Sequence, residues 1–300
     1  MTYTVRPFAD AGAFLAASEP FLVREEAAHC LHLGLAAGLR DDPTRYGDDP
    51  PFFATIEDAG GEIVAAALRT SLRHNLVLSR APLDALPALA AAVRGKYDTL
   101  PGLIAPTEIA AAFAAEWGRR SGQRGERHFA GRIHEIAQVT MPRPVAGAAR
   151  RATEAERTLL VAWNFAFTQE AGLPGNAADS ERAVSLRLVA VPETGGLWLW
   201  ENGGVPVSLA GYGGPTPHGI RIGPVYTPPE HRGRGYASAN VAALSQWLLD
   251  GGRRFCCLFT DLANPTANKV YRQIGYRPVC DVDEYAFADL PAPTNGDGDR

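Results

Sequence analysis

Apolar positions of the 300-residue chain cluster in two stretches of similar plan, residues 52–70 and residues 197–212. Each stretch is interrupted near its middle by two consecutive glycines, at 60–61 and at 203–204. Short apolar runs on either side of a turn signal are typical of strands, and glycine pairs supply the positive φ values of tight hairpin turns. The pattern therefore predicts one β-hairpin in each half of the chain.

The segments around the two hairpins also correspond. A helical stretch is predicted before each hairpin, at 8–39 and at 153–172, and a third strand after each, at 74–82 and at 218–229. In the helix before the second hairpin, apolar residues recur at three- and four-residue spacing: Leu160, Trp163 and Phe167. We interpret the chain as two copies of one unit of the α/β class (α+β type), each a mixed, mostly antiparallel sheet flanked by helices.

The boundary between the copies is placed in a proline-bearing stretch, MPRPVAGA at 141–148. This gives a first domain over 1–142 and a second over 143–290. The final residues, PAPTNGDGDR at 291–300, contain too little apolar surface to pack, and we expect them to be a disordered tail.

Composition narrows the functional classes. The formal net charge of −4, with both signs mixed, argues against a nucleic-acid-binding surface. No stretch approaches the roughly 20 apolar residues of a membrane span, and the start MTYTVRPFADAG lacks the pattern of a secretory signal. The four cysteines show no metal-ligand spacing, and Cys256-Cys257 lie inside an apolar run. We therefore expect a cytoplasmic protein that holds no metal and binds neither nucleic acid nor membrane.

One stretch of the second half carries candidate chemistry, VYTPPEHRGRGYASANVAALSQWLL from residue 225. It joins the end of a strand to a helix, in which apolar residues repeat at Ala237, Val241, Leu244 and Leu248. The first turn of a helix leaves N–H groups without partners, glycines let an anion approach them, and arginines add charge. The arrangement predicts a site for phosphate or diphosphate, although the same glycines would also relieve strain in an ordinary strand–helix turn.

Two other phosphate-binding motifs can be compared with this stretch. The stretch has no Lys-Ser or Lys-Thr, so it is not the loop of a nucleoside-triphosphate site. Gly233, Gly235 and Ser238 approximate the G-x-G-x-x-G fingerprint of dinucleotide-binding proteins, with Asp261 ending the next strand. A nicotinamide-dependent oxidoreductase therefore remains an alternative, although the Pro228-Pro229 pair separates strand from loop more widely than that fingerprint allows.

The stretch RGRGYA at 232–237 resembles R/Q-x-x-G-x-G/A, the acyl-coenzyme A signature of the GNAT N-acetyltransferase superfamily. The later stretch DLANPTANKVYRQIGYRPV at 261–279 is similar to the second signature of that family, an Asn-Pro start followed by a helical tyrosine and a Gly-aromatic exit. The resemblance covers most of 150–290. The N-terminal half resembles the family only in its order of elements, as in tandem members such as mycothiol synthase.

The resemblance implies a set of site residues. The pantetheine arm of acetyl-CoA is expected along the strand edge formed by Val225, Tyr226 and Thr227. The diphosphate is expected on the loop and helix start, which comprise Arg232, Gly233, Arg234, Gly235, Tyr236, Ala237 and Ser238. Asn264, and Asn268 on the same helix face as Tyr271, are expected to contact the coenzyme. Tyr271 is expected to act as general acid towards the departing thiolate.

The resulting hypothesis is an acetyl-CoA-dependent N-acetyltransferase that acts on a primary amine of a small molecule or peptide by direct attack. A non-catalytic acyl-CoA sensor or scaffold is the alternative. Three polar residues near the expected cleft, His218, Glu230 and Glu284, are not assigned as a base, and Cys256 and Cys257 are not expected to be nucleophiles. The N-terminal copy has no glycine over 78–90 and is not expected to bind the coenzyme. The acceptor, set in such folds by segments such as 168–182, is not encoded in any pattern that we recognise.

Overall fold

The computed structural model describes residues 2–173 and 175–289, so the predicted tail at 291–300 lies outside the described residues. The N-terminal elements are β1 (Thr4–Pro7), α1 (Ala11–Leu22), α2 (Cys30–Asp41), β2 (Phe52–Glu57), β3 (Ile63–Arg69), β4 (Leu76–Leu78), α3 (Leu86–Arg94), β5 (Gly102–Pro106), α4 (Thr107–Ser121) and β6 (Gln123–Ile136). The C-terminal elements are β7 (Ala148–Arg151), α5 (Arg157–Glu170), α6 (Ala177–Leu188), β8 (Gly195–Asn202), β9 (Val205–Gly213), β10 (Gly219–Tyr226), α7 (Tyr236–Asp250), β11 (Phe255–Asp261), α8 (Pro265–Gln273) and β12 (Arg277–Asp289).

The chain forms two compact units, and neither is continuous in sequence. Among the described residues, the first contains 2–24, 38–131 and 281–289, and the second contains Glu25–Ala37 and Arg132–Cys280. The predicted division at 142/143 places residues 25–37 in the first domain and the last strand in the second. In the structure, residues 25–37 belong to the second unit and most of the last strand belongs to the first. The sequence pattern of each segment indicates its element type and not its packing partner, so it did not predict either assignment.

The first unit has the predicted hairpin at its centre. Strands β2 and β3 pair antiparallel on either side of the glycine turn, and the strand order is β1-β2-β3-β4-β5-β12. Only β4 and β5 pair parallel in that series. Helices α3 and α4 pack their apolar faces on the sheet, with Phe113 and Trp117 fully buried. The sheet is mixed and mostly antiparallel, as predicted.

The second unit repeats this arrangement, with strand order β6-β11-β10-β9-β8-β7. Its hairpin β8–β9 turns at the predicted glycines, and its only parallel pair along β7 to β11 is β10 with β11. Helix α7 covers one face of the sheet through Val241, Leu244 and Leu248, and α5 covers the other through Leu160. Among the described residues, no helix is both long and apolar enough to cross a membrane.

Two helical stretches differ from the predicted bounds. The stretch at 8–39 is two helices, α1 and α2, separated by a short 3₁₀ turn at Val23–Glu25 and a further turn. The other difference is α6, which the sequence pattern did not predict. It begins at a capping box, in which Asn176 accepts from the Asp179 amide at 3.0 Å and Asp179 accepts from the Asn176 amide at 3.0 Å.

Candidate functional site

A bulge in strand β10 is the first feature of the site. The register of β10 against β9 shifts between Ile222 and Val225. On β9, a Cβ added at Gly211 would lie 2.8 Å from Pro224 Cδ and 2.9 Å from the Gly223 carbonyl oxygen. Only a glycine at position 211 lets the bulged backbone approach its neighbour this closely.

Strand β10 separates from β11 just before this bulge. The two strands pair in parallel only from Gly219 with Phe255 to Arg221 with Cys257. The backbone of β10 beyond Arg221, including Val225, is therefore not paired with β11. The edge expected to receive the pantetheine arm is open on this side, which is the geometry that an added strand needs. Two of its carbonyls are already acceptors: Ser208 Oγ donates to Tyr226 O at 3.2 Å, and Arg232 Nε donates to Thr227 O at 2.8 Å.

The loop after β10 leaves a run of backbone N–H groups without acceptors. The Arg232 amide donates to Pro229 O at 3.3 Å, and the next bonded amide is that of Ala239, which donates to Gly235 O at 3.0 Å. Between them, the six amides of 233–238 have no acceptor among the described residues. Six adjacent donors at a helix start form a site for an anion, since unpaired donors and the helix dipole act in the same direction.

Two glycines shape this loop. Gly233 has φ +74° and Gly235, the residue that precedes α7, has φ +82°. This left-handed region is open to glycine at no steric cost and is costly for most other residues. Residues 232–235 are exposed to solvent. The loop therefore presents its amides without side chains over Gly233 and Gly235.

The two arginines of the loop differ in their contacts. Arg232 is bound within the protein: its Nη2 lies 2.7 and 2.9 Å from the two carboxylate oxygens of Glu170, at the end of α5. The side chain of Arg234 is exposed and has no partner among the described residues. Arg234 is thus available to an incoming anion, whereas Arg232 must first leave Glu170.

The equivalent helix start in the first unit is different. A 3₁₀ turn precedes α3, and in it the Ala85 amide donates to Pro82 O at 3.0 Å and the Leu86 amide donates to Leu83 O. The next residue, Pro87, has no N–H at all. Next to α3, two amides are therefore bonded and one is missing, and no glycine lies in the connection.

The helix of the second signature, α8, begins at Asn264. The Asn264 side chain accepts from the Ala267 amide at 3.0 Å, so it is an N-cap as its sequence pattern predicts. Asn268 is fully engaged by the protein. Its Oδ1 accepts from the Thr260 hydroxyl at 2.8 Å, and its Nδ2 donates to the carbonyls of Asp261 at 2.7 Å and Asn264 at 2.8 Å. In this structure Asn268 fastens α8 to the end of β11.

Tyr271 lies on the buried side of α8. Its ring packs edge-on against Tyr276, with centroids 5.8 Å apart, and borders the apolar cluster that Val225 also borders. Among the described residues its hydroxyl has no hydrogen-bond partner. Burial raises the pKa of Tyr271 to about 12, so the phenol is protonated at neutral pH.

The remaining candidates from the sequence occupy separate positions. His218 Nδ1 lies 2.7 Å from Glu26 Oε2, and Glu230 is exposed in the 3₁₀ turn before the loop. Glu284 belongs to the first unit, where Asn75 Nδ2 donates to it at 2.6 Å. Cys256 and Cys257 are buried, and burial raises the pKa of Cys256 to about 12, so it is not an activated nucleophile.

Two residues of this region were not found from the sequence. Glu170 holds Arg232 from a distance of 62 positions along the chain. Arg187, on α6, donates from Nη2 to the carbonyl oxygen of Gly223 in the bulge at 3.4 Å. Neither residue forms a local motif with its partner, so spacing alone gave no signal for either contact.

Comparison with known proteins agrees with this geometry. Residues 161–276 match the model of the acetyltransferase (GNAT) family. This part of the chain carries the bulged strand, the loop and both helices of the site. Acyl transfer from acetyl-CoA is the general activity of that family. No curated protein matches the chain.

Several solved structures resemble the whole chain in fold. A GCN5-related N-acetyltransferase from Sphaerobacter thermophilus has a TM-score of 0.57 at 19% identity, covering 94% of both chains. A tandem GNAT protein from the clavulanic acid biosynthesis pathway has a TM-score of 0.57 at 13% identity, covering 97% of this chain and 100% of its own. A GCN5-related N-acetyltransferase from Kribbella flavida has a TM-score of 0.54 at 17% identity, covering 76% and 87%. The chain therefore has a tandem GNAT fold.

Proposed function

We propose that the protein is an N-acetyltransferase that moves the acetyl group of acetyl-CoA to a primary amine of a small-molecule or peptide acceptor. The observation that supports this most directly is the run of six amides at 233–238 without an acceptor among the described residues, in a segment that matches the GNAT family model. The open edge of β10 and its bulge lie immediately before that run. The first unit, whose helix α3 begins without such a run of glycines and open donors, does not bind the coenzyme in this proposal.

The second unit would hold acetyl-CoA at two places. The amides of 233–238, with the side chain of Arg234, would bind the diphosphate. The backbone of β10 near Val225, which is unpaired on the side of β11, would bind the pantetheine arm. N–H groups of the bulge would polarise the thioester carbonyl. Asn264, at the start of α8, would contact the coenzyme through its backbone. Asn268 would contribute by fixing α8.

The acceptor amine attacks the thioester directly. The buried thiols of Cys256 and Cys257 have raised pKa values and are not activated, so no acyl-enzyme forms on them in this proposal. An alkyl amine with a pKa of about 10 is only about one part in a thousand neutral at pH 7, so a site that favours its neutral form accelerates the attack. Tyr271, protonated at neutral pH, would donate to the sulfur as the thiolate leaves. None of the four cysteines is in a disulfide bond, which fits a reducing compartment, and we place the reaction in the cytoplasm.

Isothermal titration calorimetry with acetyl-CoA tests the coenzyme site. The wild-type protein should show saturable binding, and Gly235→Leu should weaken it at least about tenfold, since a side chain there strains the loop and covers the amides. Gly203→Leu is the matched control: Gly203 also has a positive φ, +59°, but lies in the β8–β9 turn with no atom near its Cβ position. Equal affinity in the two variants would remove the assigned coenzyme site.

A panel of amines with detection of released thiol separates an enzyme from a sensor. An N-acetyltransferase should release coenzyme A with at least one class of primary amine. Saturable binding of acetyl-CoA without thiol release from any amine would instead favour the sensor or scaffold. Tight binding of a nicotinamide dinucleotide in place of acetyl-CoA would favour the oxidoreductase and contradict the proposal.

A further inference from the structure

Arg221 is a cation on strand β10 that has no partner among the described residues. The residue is partly buried, and it lies at the start of the bulge, two positions before Gly223. Its Nη2 and Cζ lie 3.7 and 3.9 Å from the position that a Cβ on Gly214 would take. No carboxylate or hydrogen-bond acceptor for Arg221 is present among the described residues.

The described residues around Arg221 do not supply a carboxylate for it. Its guanidinium is close enough to the buried thiols of Cys30 and Cys257 to act on their pKa values. The carboxylate of Glu26, which reaches the start of β10, is already bound by the Thr216 hydroxyl and the His218 ring. A partly buried guanidinium without an anion is unfavourable, so a ligand that brings one would be bound with a gain.

A second guanidinium reaches the bulge in the same unit. Arg187 on α6 donates to the Gly223 carbonyl oxygen at 3.4 Å and to the Ala183 carbonyl oxygen at 3.2 Å. Two positive charges therefore lie near Gly223. Arg187 contacts the Gly223 carbonyl oxygen directly, and Arg221 precedes Gly223 by two positions on the strand. Gly213, the β9 residue that pairs with Arg221, has no side chain, and a Cβ added there would approach only the Thr194 carbonyl oxygen, at 3.8 Å.

We infer that the acceptor carries a carboxylate close to its amine, and that Arg221, with Arg187 beside it, binds this carboxylate. The inference rests on the proposed function and adds the class of acceptor. Guanidinium is the side chain best matched to a carboxylate, which it can bind through two parallel hydrogen bonds. The same positive charges disfavour a protonated amine nearby, which raises the fraction of the neutral nucleophile. A polycation such as a polyamine would be repelled by this site.

Matched amine pairs test the inference in the wild-type protein. Each pair consists of a small amino acid and its carboxamide, for example L-alanine with L-alaninamide and L-glutamate with its α-amide, and putrescine and spermidine form a polycation series. Steady-state release of coenzyme A should give a kcat/KM about 10- to 100-fold higher for the carboxylate of each pair, the range for one charge-assisted hydrogen-bonded contact. Equal or higher values for the carboxamides or the polyamines would overturn the inference and leave the acetyltransferase proposal intact. Release with neither series would overturn the inference, whereas the acetyltransferase proposal is decided separately by the broader panel of amines.

Variants of Arg221 assign the effect to this residue. Arg221→Met should raise KM for the carboxylates about 10- to 100-fold, remove the preference over the carboxamides and leave the affinity for acetyl-CoA unchanged. Arg221→Lys, which keeps the charge, should restore part of the preference. Arg124→Met is the matched control: Arg124 is an exposed arginine of the first unit that pairs with Glu126 at 3.1 Å. An unchanged carboxylate preference in Arg221→Met, with acetyl-CoA bound normally as proof of folding, would contradict the assignment.

Discussion

Replacement of Tyr271 by phenylalanine tests the assigned acid with little disturbance of the fold. The change removes only the hydroxyl, which has no hydrogen-bond partner among the described residues. The ring keeps its edge contact with Tyr276 and its place against the apolar cluster. We therefore expect the free energy of unfolding at neutral pH to change by less than about 1 kcal/mol.

The expected kinetic effect follows from the pKa of the phenol. An alkyl thiol has a pKa of about 8.5, and burial raises that of Tyr271 to about 12, so complete proton transfer to free thiolate is uphill by about 5 kcal/mol. Tyr271 is thus expected to donate a hydrogen bond, or a proton in transit, only while charge develops on the sulfur. Acid catalysis of this kind contributes about 10²–10⁴ in rate, and the pKa mismatch favours the lower end, about 10² in kcat.

Steady-state release of coenzyme A and calorimetry with acetyl-CoA measure the two quantities that matter. Tyr271→Phe should lower kcat about 100-fold while the dissociation constant for acetyl-CoA changes less than about threefold. Tyr276→Phe is the control within the same aromatic pair. Its hydroxyl shares a 2.9 Å hydrogen bond with Ser245, so its loss should lower stability by about 1 kcal/mol and leave kcat nearly unchanged. A kcat within threefold of wild type in Tyr271→Phe would refute the acid assignment.

Three further outcomes are expected. Asn268→Ala removes three hydrogen bonds and should lower the free energy of unfolding in urea by about 2–4 kcal/mol, whereas unchanged stability with weaker acetyl-CoA binding would indicate a direct coenzyme contact instead. Glu170→Gln should release Arg232 and tighten acetyl-CoA binding about two- to fivefold at low salt in calorimetry. The free energy of unfolding should be nearly unchanged, because the ion pair is about half exposed. Weaker binding would show that the pair holds the loop in its active form. The buried phenol of Tyr271 should favour the folded state fully below pH 10 and lose that contribution as the pH rises towards its folded pKa of about 12, in total about 2–3 kcal/mol; a stability difference between wild type and Tyr271→Phe that stays constant from pH 9 to 11 would contradict this.

Local chemistry made part of this structure predictable from its sequence. The glycine pairs at 60–61 and 203–204 mark both hairpin turns, because a tight turn needs positive φ values, and Gly61, Gly203 and Gly204 adopt them. Asn264 before Pro265 marks the start of α8, because a side-chain cap and a missing N–H both suit that position. The loop before α7 was predicted for the same reason, since its glycines and free amides lie within one short stretch.

Contacts between distant positions were beyond the sequence. Arg232 was expected to offer its charge to the coenzyme, but Glu170 holds it. Asn268 was expected to face the coenzyme, but its amide is used within the protein by β11 and α8. The placement of 25–37 in the second unit also depends on partners far along the chain, such as His218 for Glu26. A single sequence reports which elements form, and these partners are decided by packing.

The first unit serves as an internal control for the interpretation of the loop before α7. Both units connect an inner strand to a covering helix, β4 to α3 and β10 to α7, and the first does so without a glycine and with the amides of Ala85 and Leu86 bonded at the helix start. The fold therefore does not require glycines or free donors at this connection. Each glycine in the second unit adds conformational entropy to the unfolded chain, at about 0.5–1 kcal/mol relative to alanine, and six unbonded amides add no stability in return. A connection that is less stable than its counterpart in the same chain is explained by a ligand, and the two positive φ values at Gly233 and Gly235 expose the donors that an anion would use.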